Sequence, residues 1–292
     1  MTRSHVHPSM ICFICGLLIA GLHRPHRSQA ADPEYAVEYN RDFADQGFDN
    51  RALAPFGAGA TSLLRQTDAG VRIDVPAGAQ TKSVGVTPRF RVRGNFEITL
   101  WYEIASWDEP QEGSGVGPTV YVTTGGEASS AAEIGRLHRL EGLQRHTTFA
   151  RAVVAGEQQK TARQFETAAM QGQLRIRRTG STLDFEVRED WKDEPFHVLN
   201  SAEFGSADLS LVRLAVKRSD FEAKTDVLFR RLRIRADALP QLPSQERTAE
   251  PLYRPAYHPP LQSTNWTRLI LLSGGIVAVL AVSGALYWRR TR

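Results

Sequence analysis

The stretch Arg89-Phe90-Arg91-Val92-Arg93-Gly94-Asn95-Phe96-Glu97-Ile98-Thr99-Leu100-Trp101-Tyr102-Glu103-Ile104 decides the fold, because Phe90, Val92, Phe96, Ile98, Leu100, Tyr102 and Ile104 all fall on even positions. Successive side chains of a strand point to opposite faces. The alternation therefore makes one face apolar and sets Arg91, Glu97, Thr99, Trp101 and Glu103 on the other. A helix would scatter both sets around its circumference. With Arg93-Gly94-Asn95 as a three-residue hairpin loop, Val92 faces Phe96, Phe90 faces Ile98 and Arg91 faces Glu97, so both faces agree on one register. The stretch is expected to be a core hairpin of a β-sandwich.

The chain on either side repeats the pattern. A second hairpin is expected over Leu174 to Val187, turning at Gly180-Ser181, which pairs Ile176 with Phe185, Leu174 with Val187, Arg177 with Asp184 and Arg175 with Glu186. Apolar pairs and opposite charges then sort onto separate faces, and Gly180 stands where a type II′ turn needs glycine. Val71, Ile73 and Val75, then Val84 and Val86, then Val120 and Val122 alternate ahead of turn residues. Further alternation runs through Val212, Leu214 and Val216, and through Leu228, Leu232 and Ile234. Ser130 to Gly142 reads as strand rather than helix in this setting. Many short strands without recurrent helices predict an all-β, two-sheet antiparallel sandwich over residues 31–238.

The two ends differ in composition. Arg3, His5 and His7 lead into the apolar Met10 to Leu22 and then Ser28-Gln29-Ala30, which is the layout of a cleaved signal peptide over residues 1–30. Cys12 and Cys15 would leave with it, removing disulfides, thiol nucleophiles and thiolate metal sites from the mature chain. Residues 239–267 carry Pro240, Pro243, Pro251, Pro255, Pro259 and Pro260 with little periodicity and read as a stalk. Leu269 to Trp288 is an uncharged run of 20 residues. At ~1.5 Å per residue it matches a bilayer core of about 30 Å. Trp266, Tyr287 and Trp288 sit at its ends, and Arg289, Arg290 and Arg292 put the tail of this single transmembrane helix (268–292) inside and the sandwich outside.

Of the 36 Lys+Arg, three precede Ala31 and four lie at Arg268 and beyond, leaving 29 against all 32 Asp+Glu, so the middle carries −3. The overall +4 belongs to the ends, and nucleic acid is not an expected partner. No Gly-rich phosphate loop and no nucleophile elbow appears in the chain.

Four segments carry a resemblance: Phe90 to Ile98, Gly180 to Val187, Leu211 to Val216, and Val227-Leu228-Phe229. In this order they resemble concanavalin A-like, laminin G-type jelly rolls, and within that superfamily the chain is similar to an uncharacterised family of secreted planctomycete proteins. The resemblance covers about Tyr35 to Ala238 and implies a jelly roll. It also implies a relation to lectins, glucanases and adhesion modules, whose ligands lie on the concave sheet or at loop ends. The Glu-x-Asp-x-Glu strand motif of the glucanase branch is absent from this sequence. Glu97 and Glu103 lie six residues apart. That is about 20 Å along a strand, whereas glycosidase carboxylates stand roughly 5 to 9.5 Å apart.

Asp184 and Glu186 have cross-strand arginine partners. His138, His146 and His197 form no zinc spacing. Some laminin G-type modules bind calcium, and Asp42, Asp45 and Asp49 are the residues that could contribute to it. Their spacing departs from the Ca-loop pattern, so a solvated loop accounts for them and no cofactor is expected. Arg231, Arg233 and Arg235 share a strand face that acidic neighbours balance. Trp101, between Thr99 and Glu103 on the non-core face, is the candidate ligand platform, because a large exposed aromatic suits a sugar ring. The expected function is a membrane-anchored extracytoplasmic module that binds carbohydrate or another ligand without catalysis. Its alternatives are a structural or protein-interaction module at the cell surface and a glycoside hydrolase with an atypical site.

Overall fold

The computed structural model describes residues 35–126, 129–154, 156–190 and 194–244. The expected signal peptide with its two cysteines, the stalk beyond residue 244, and the span Leu269 to Trp288 with its basic tail lie outside the described residues. No helix among the described residues is long and apolar enough to cross a membrane.

The domain is an all-β sandwich of two antiparallel sheets. The first sheet runs in the order β13 (His197–Glu203), β12 (Thr182–Glu189), β11 (Gln171–Thr179), β6 (Arg93–Trp107), β15 (Thr225–Ala238), β4 (Gly70–Val75) and β3 (Leu64–Thr67), and β1 (Val37–Asp42) also pairs β15. The second runs β10 (Glu157–Glu166), β9 (Gln144–Val154), β8 (Ala131–His138), β7 (Val116–Thr124), β14 (Leu209–Arg218), β5 (Ser83–Pro88) and β2 (Leu53–Phe56). Two single-turn helices, α1 (Phe43–Gln46) and α2 (Ala60–Leu63), pack at the edges.

The alternating positions read from the sequence form the core. Phe96, Ile98, Leu100 and Tyr102 of β6, Leu174 and Ile176 of β11, and Leu214 and Val216 of β14 are closed to solvent. Burying each such side chain is worth about 1.5–3 kcal/mol, so the face between the sheets holds the fold together. The second hairpin forms in the expected register, with Leu174 opposite Val187, Arg175 opposite Glu186, Ile176 opposite Phe185 and Arg177 opposite Asp184. Gly180 supplies the positive φ of the turn, 62°.

The first hairpin does not form. β6 is one strand of 15 residues. Residues 89–92 carry the chain from β5 in the second sheet to β6 in the first. Phe90 and Val92 are buried as read, at 5% and 1% exposure, but Val92 bridges Leu209 instead of facing Phe96. Alternation assigns a side chain to a face and says nothing of which edge its backbone pairs with. Over Phe96 to Glu103 both edges of β6 are taken, by β11 and by β15, so no edge is left for the preceding residues. Gly94, at φ 68°, turns the chain into β6 beside Asp237, where a Cβ would lie 2.2 Å from the carboxylate Oδ2.

The last strand also departs from the reading. A bulge between Phe229 and Arg231 reverses its phase, so Val227 and Phe229 enter the core ahead of Leu232 and Ile234, and Leu228 does not. At its end Leu239 is buried and Leu242 packs against the core, so the first residues of the Pro-rich stretch lie on the sandwich.

Candidate functional site

The outer face of the first sheet is built in rows across five strands, β12, β11, β6, β15 and β1. One row reads Asp184, Arg177, Glu97, Arg235, Glu38; the next Glu186, Arg175, Thr99, Arg233, Asn40; the third Arg188, Gln173, Trp101, Arg231, Asp42. The first row alternates in charge at every strand, which is the arrangement cross-strand pairing favours. Glu97 is its centre. Its Oε1 accepts from Arg233 Nη2 at 3.0 Å and its Oε2 from Arg235 Nη2 at 2.7 Å, and Arg175 Nη1 lies 3.4 Å from Oε2. Burial pushes the Glu97 carboxyl up, but the guanidinium groups of Arg175, Arg235 and Arg233 outweigh it and hold it below the ordinary carboxylate range. At Glu186 burial prevails over Arg177 and Arg175 and the carboxyl is raised.

These rows decide what the expected ligand residues do. Thr99, Trp101 and Glu103 lie on the non-core face as read, yet that face is not open. Thr99 is fully buried and its hydroxyl accepts from Arg175 Nε at 3.2 Å. Trp101 is partly exposed, with the guanidinium carbons of Arg231 and Arg233 at 5.2 and 5.6 Å from its ring centroid. Glu103 accepts from Arg230 Nε at 2.9 Å. Phe196 covers the neighbouring Arg175, whose guanidinium carbon lies 3.2 Å from the ring centroid. Thr99, Trp101 and Glu103 are thus each engaged with arginines of the neighbouring strands. The cross-strand pairs of Asp184 and Glu186 with Arg177 and Arg175 form, at 3.3 and 3.2 Å.

Two of the aspartates considered for calcium, Asp42 and Asp49, serve the backbone. Asp42 caps α1, its Oδ1 accepting from Ala44 N at 3.0 Å and Asp45 N at 3.3 Å; Asp49 Oδ1 accepts from Arg51 N at 3.1 Å and Ala52 N at 3.3 Å. Among the described residues no three His, Cys, Asp or Glu gather into a metal site.

The outer face of the second sheet is arranged differently. One row crosses β9, β8, β7, β14 and β5 as Thr147, Gly135, Thr119, Ala215 and Gly85, small at every strand. Beside it runs Phe149, Glu133, Tyr121 and Arg213, and on its other side Leu137 and, on β14, Lys217. The small row is the floor of a trough crossing the strands. At ~4.8 Å per strand its five residues reach about 19 Å. The floor is packed close, since a Cβ on Gly135 would lie 2.9 Å from Thr119 Cγ2 and 3.3 Å from Thr147 Oγ1. Lys217 Nζ lies 2.7 Å from Glu133 Oε1, and this ion pair spans the floor above Thr119. It divides the trough into cavities of about 400 Å³ toward β5 and about 360 Å³ toward β10, both lined by Tyr121, Glu133 and Lys217.

Sequence reasoning passed over this site. Its one signal was that Thr119, Tyr121 and Thr123 alternate with Val120 and Val122. The smallness of Gly135, Ala215 and Gly85 acquires meaning only when pairing brings the three strands side by side.

No curated protein matches the sequence. Among solved structures the fold is similar to a legume lectin-like domain from Entamoeba histolytica, at 14% identity and TM-score 0.44, over 64% of this chain and 90% of that one. It is also similar to a prokaryotic β-1,3-1,4-glucanase (lichenase) derived from a mouse hindgut metagenome, at 8% and 0.48 over 69% and 100%, and to the Crh5 transglycosylase, at 10% and 0.49 over 71% and 87%. Likenesses at this level carry no argument about activity. The family model for the C domain of the protein of unknown function DUF1583 matches residues 23–254, and the chain belongs to that family.

Proposed function

We propose that the chain is a non-catalytic carbohydrate-binding module with a concanavalin A-like jelly-roll topology, and that the trough on the second sheet is its binding surface. The observation that supports this reading is the row of small residues across five strands, flanked by the partly exposed rings of Tyr121 and Phe149. Such a bed suits an extended run of sugar rings, whose faces stack on aromatics while a hydroxyl such as that of Thr147 exchanges hydrogen bonds. Binding is preferred to hydrolysis because, among the described residues, Glu133 is the single carboxylate lining the two cavities and Lys217 holds it. The usual two-carboxylate route needs a second carboxyl within about 5–9.5 Å. Trp101 is the weaker platform, since two arginines already lie against its ring.

The test is a glycan-array screen with and without calcium on the protein and on Tyr121→Ala and Trp101→Ala. Binding lost in Tyr121→Ala with unchanged circular dichroism supports the trough, and loss in Trp101→Ala alone would move the site to the first sheet. Specific crosslinking to a protein with no glycan signal would favour an interaction module. Release of reducing sugar would mean catalysis. The signal-like start, the Pro-rich stretch and the run Leu269 to Trp288 support display of this module outside the cytoplasm on one membrane helix. Protease added outside intact cells should then shed the sandwich, and full protection would overturn that topology.

A further inference from the structure

We infer that the glycan taken by the trough is acidic, a polysaccharide bearing carboxylate or sulfate groups; the inference rests on the trough being the glycan surface. The two outer faces of the sandwich treat charge in opposite ways. On the first sheet the arginines of β11 and β15 alternate with Asp184, Glu186, Glu97 and Glu38, so the face is compensated strand by strand. On the second sheet Lys82 and Arg213 line the cavity toward β5, Arg139 and Arg163 line the one toward β10, and Lys217 stands at their shared boundary. Against these five cations stands, among the described residues lining the cavities, one carboxylate, Glu133, already in contact with Lys217. Arg218 also borders the first cavity, but its guanidinium donates to the backbone carbonyls of Ala79 and Phe221.

An uncompensated cationic lining repels itself and raises the local concentration of anions. The cations are spread along the trough, two to each cavity with Lys217 between, which matches a polymer carrying a charge at intervals better than a single small anion. The arrangement also assigns Glu133 a role. It occupies Lys217 when the trough is empty, and an acidic group arriving there competes with it, so Glu133 sets a threshold that a neutral sugar does not have to meet.

The experiment titrates the full-length protein with polygalacturonate, its methyl ester, dextran sulfate, neutral dextran and single-stranded DNA, at 50 and 300 mM NaCl. An acidic polysaccharide is expected to bind at least tenfold more tightly than its neutral counterpart, and more weakly at the higher salt. Whichever of polygalacturonate and dextran sulfate binds identifies the group as carboxylate or sulfate. Arg213→Gln and Arg139→Gln should each weaken binding about fivefold, while Glu133→Gln, which frees Lys217, should tighten it about threefold. A merely structural role for Glu133 would not produce that opposite sign. Equal binding of polygalacturonate and its methyl ester overturns the acidic class and leaves the glycan reading standing. DNA bound as tightly as the polysaccharides overturns glycan selection in favour of charge alone. No binding of any polymer, with native circular dichroism, overturns both.

Discussion

Glu97 is 1% exposed and still held ionised by three arginines, two of them from the far end of the chain. The sequence assigns it to the correct face, because alternation fixes faces. Its burial was not legible, because that depends on β11 and β15 lying on either side of β6. Glu97→Gln leaves Arg175, Arg233 and Arg235 facing one another around a neutral amide. It should cost about 3 kcal/mol in urea unfolding, the scale for removing one partner from a buried ion pair. Arg178 shows a second kind of burial. It follows Leu174 and Ile176 on the core-facing positions, is 1% exposed, and donates to the carbonyls of Gly94 and Ala207 over the ring of Phe96. A cation in an apolar register was a visible anomaly, but only the structure supplies the carbonyls that explain it. Arg178→Met fills the space and strands those carbonyls, so about 2 kcal/mol should be lost, read from the same unfolding curves.

Of the two hairpins, the structure keeps one and discards the other, and the difference is physical. β11 and β12 are joined by a two-residue turn and β11 keeps the edge away from β6 for β12, whereas residues 89–92 found both edges of their intended partner occupied. Local turn chemistry can be read from sequence; competition for an edge cannot. Arg177 of the retained hairpin contacts Asp184 at 3.3 Å and also Glu186 at 2.6 Å. Arg177→Asp should therefore cost about 1–3 kcal/mol, more than one surface pair. Adding Asp184→Arg should recover only part of it, since the reversed charge does not restore the contact to Glu186; a double-mutant cycle measures the remainder.

Across the whole molecule, acid stability should depend on His146, which lies between the sheets at 2% exposure with its Nε2 3.1 Å from Glu189 Oε1. Burial depresses it from 6.5 to about 4, despite the opposing pull of Glu189. The unfolded chain then binds the proton more readily than the folded one between those values. Stability is fully present above pH 6.5 and falls as pH drops to about 4, by roughly 3 kcal/mol in all. Glu97, also depressed, adds to the loss below its ordinary range. Unfolding at pH 7, 5.5 and 4 should show the decline, and His146→Gln should flatten its upper part.

The pairing of β1 with β15 sets Val37 opposite Ala236, so the chain enters and leaves the sandwich side by side. Tension between those two points would act along the shared hydrogen bonds, at right angles to the strands, and open them one after another, starting at Val37, rather than shearing six residue pairs together. The first strand would therefore peel away at low force, while β15 stays locked between β6 and β4 and the trough on the opposite sheet keeps its shape. Pulled at these two points, the sandwich would lengthen in a small early step before the opposite sheet gave way.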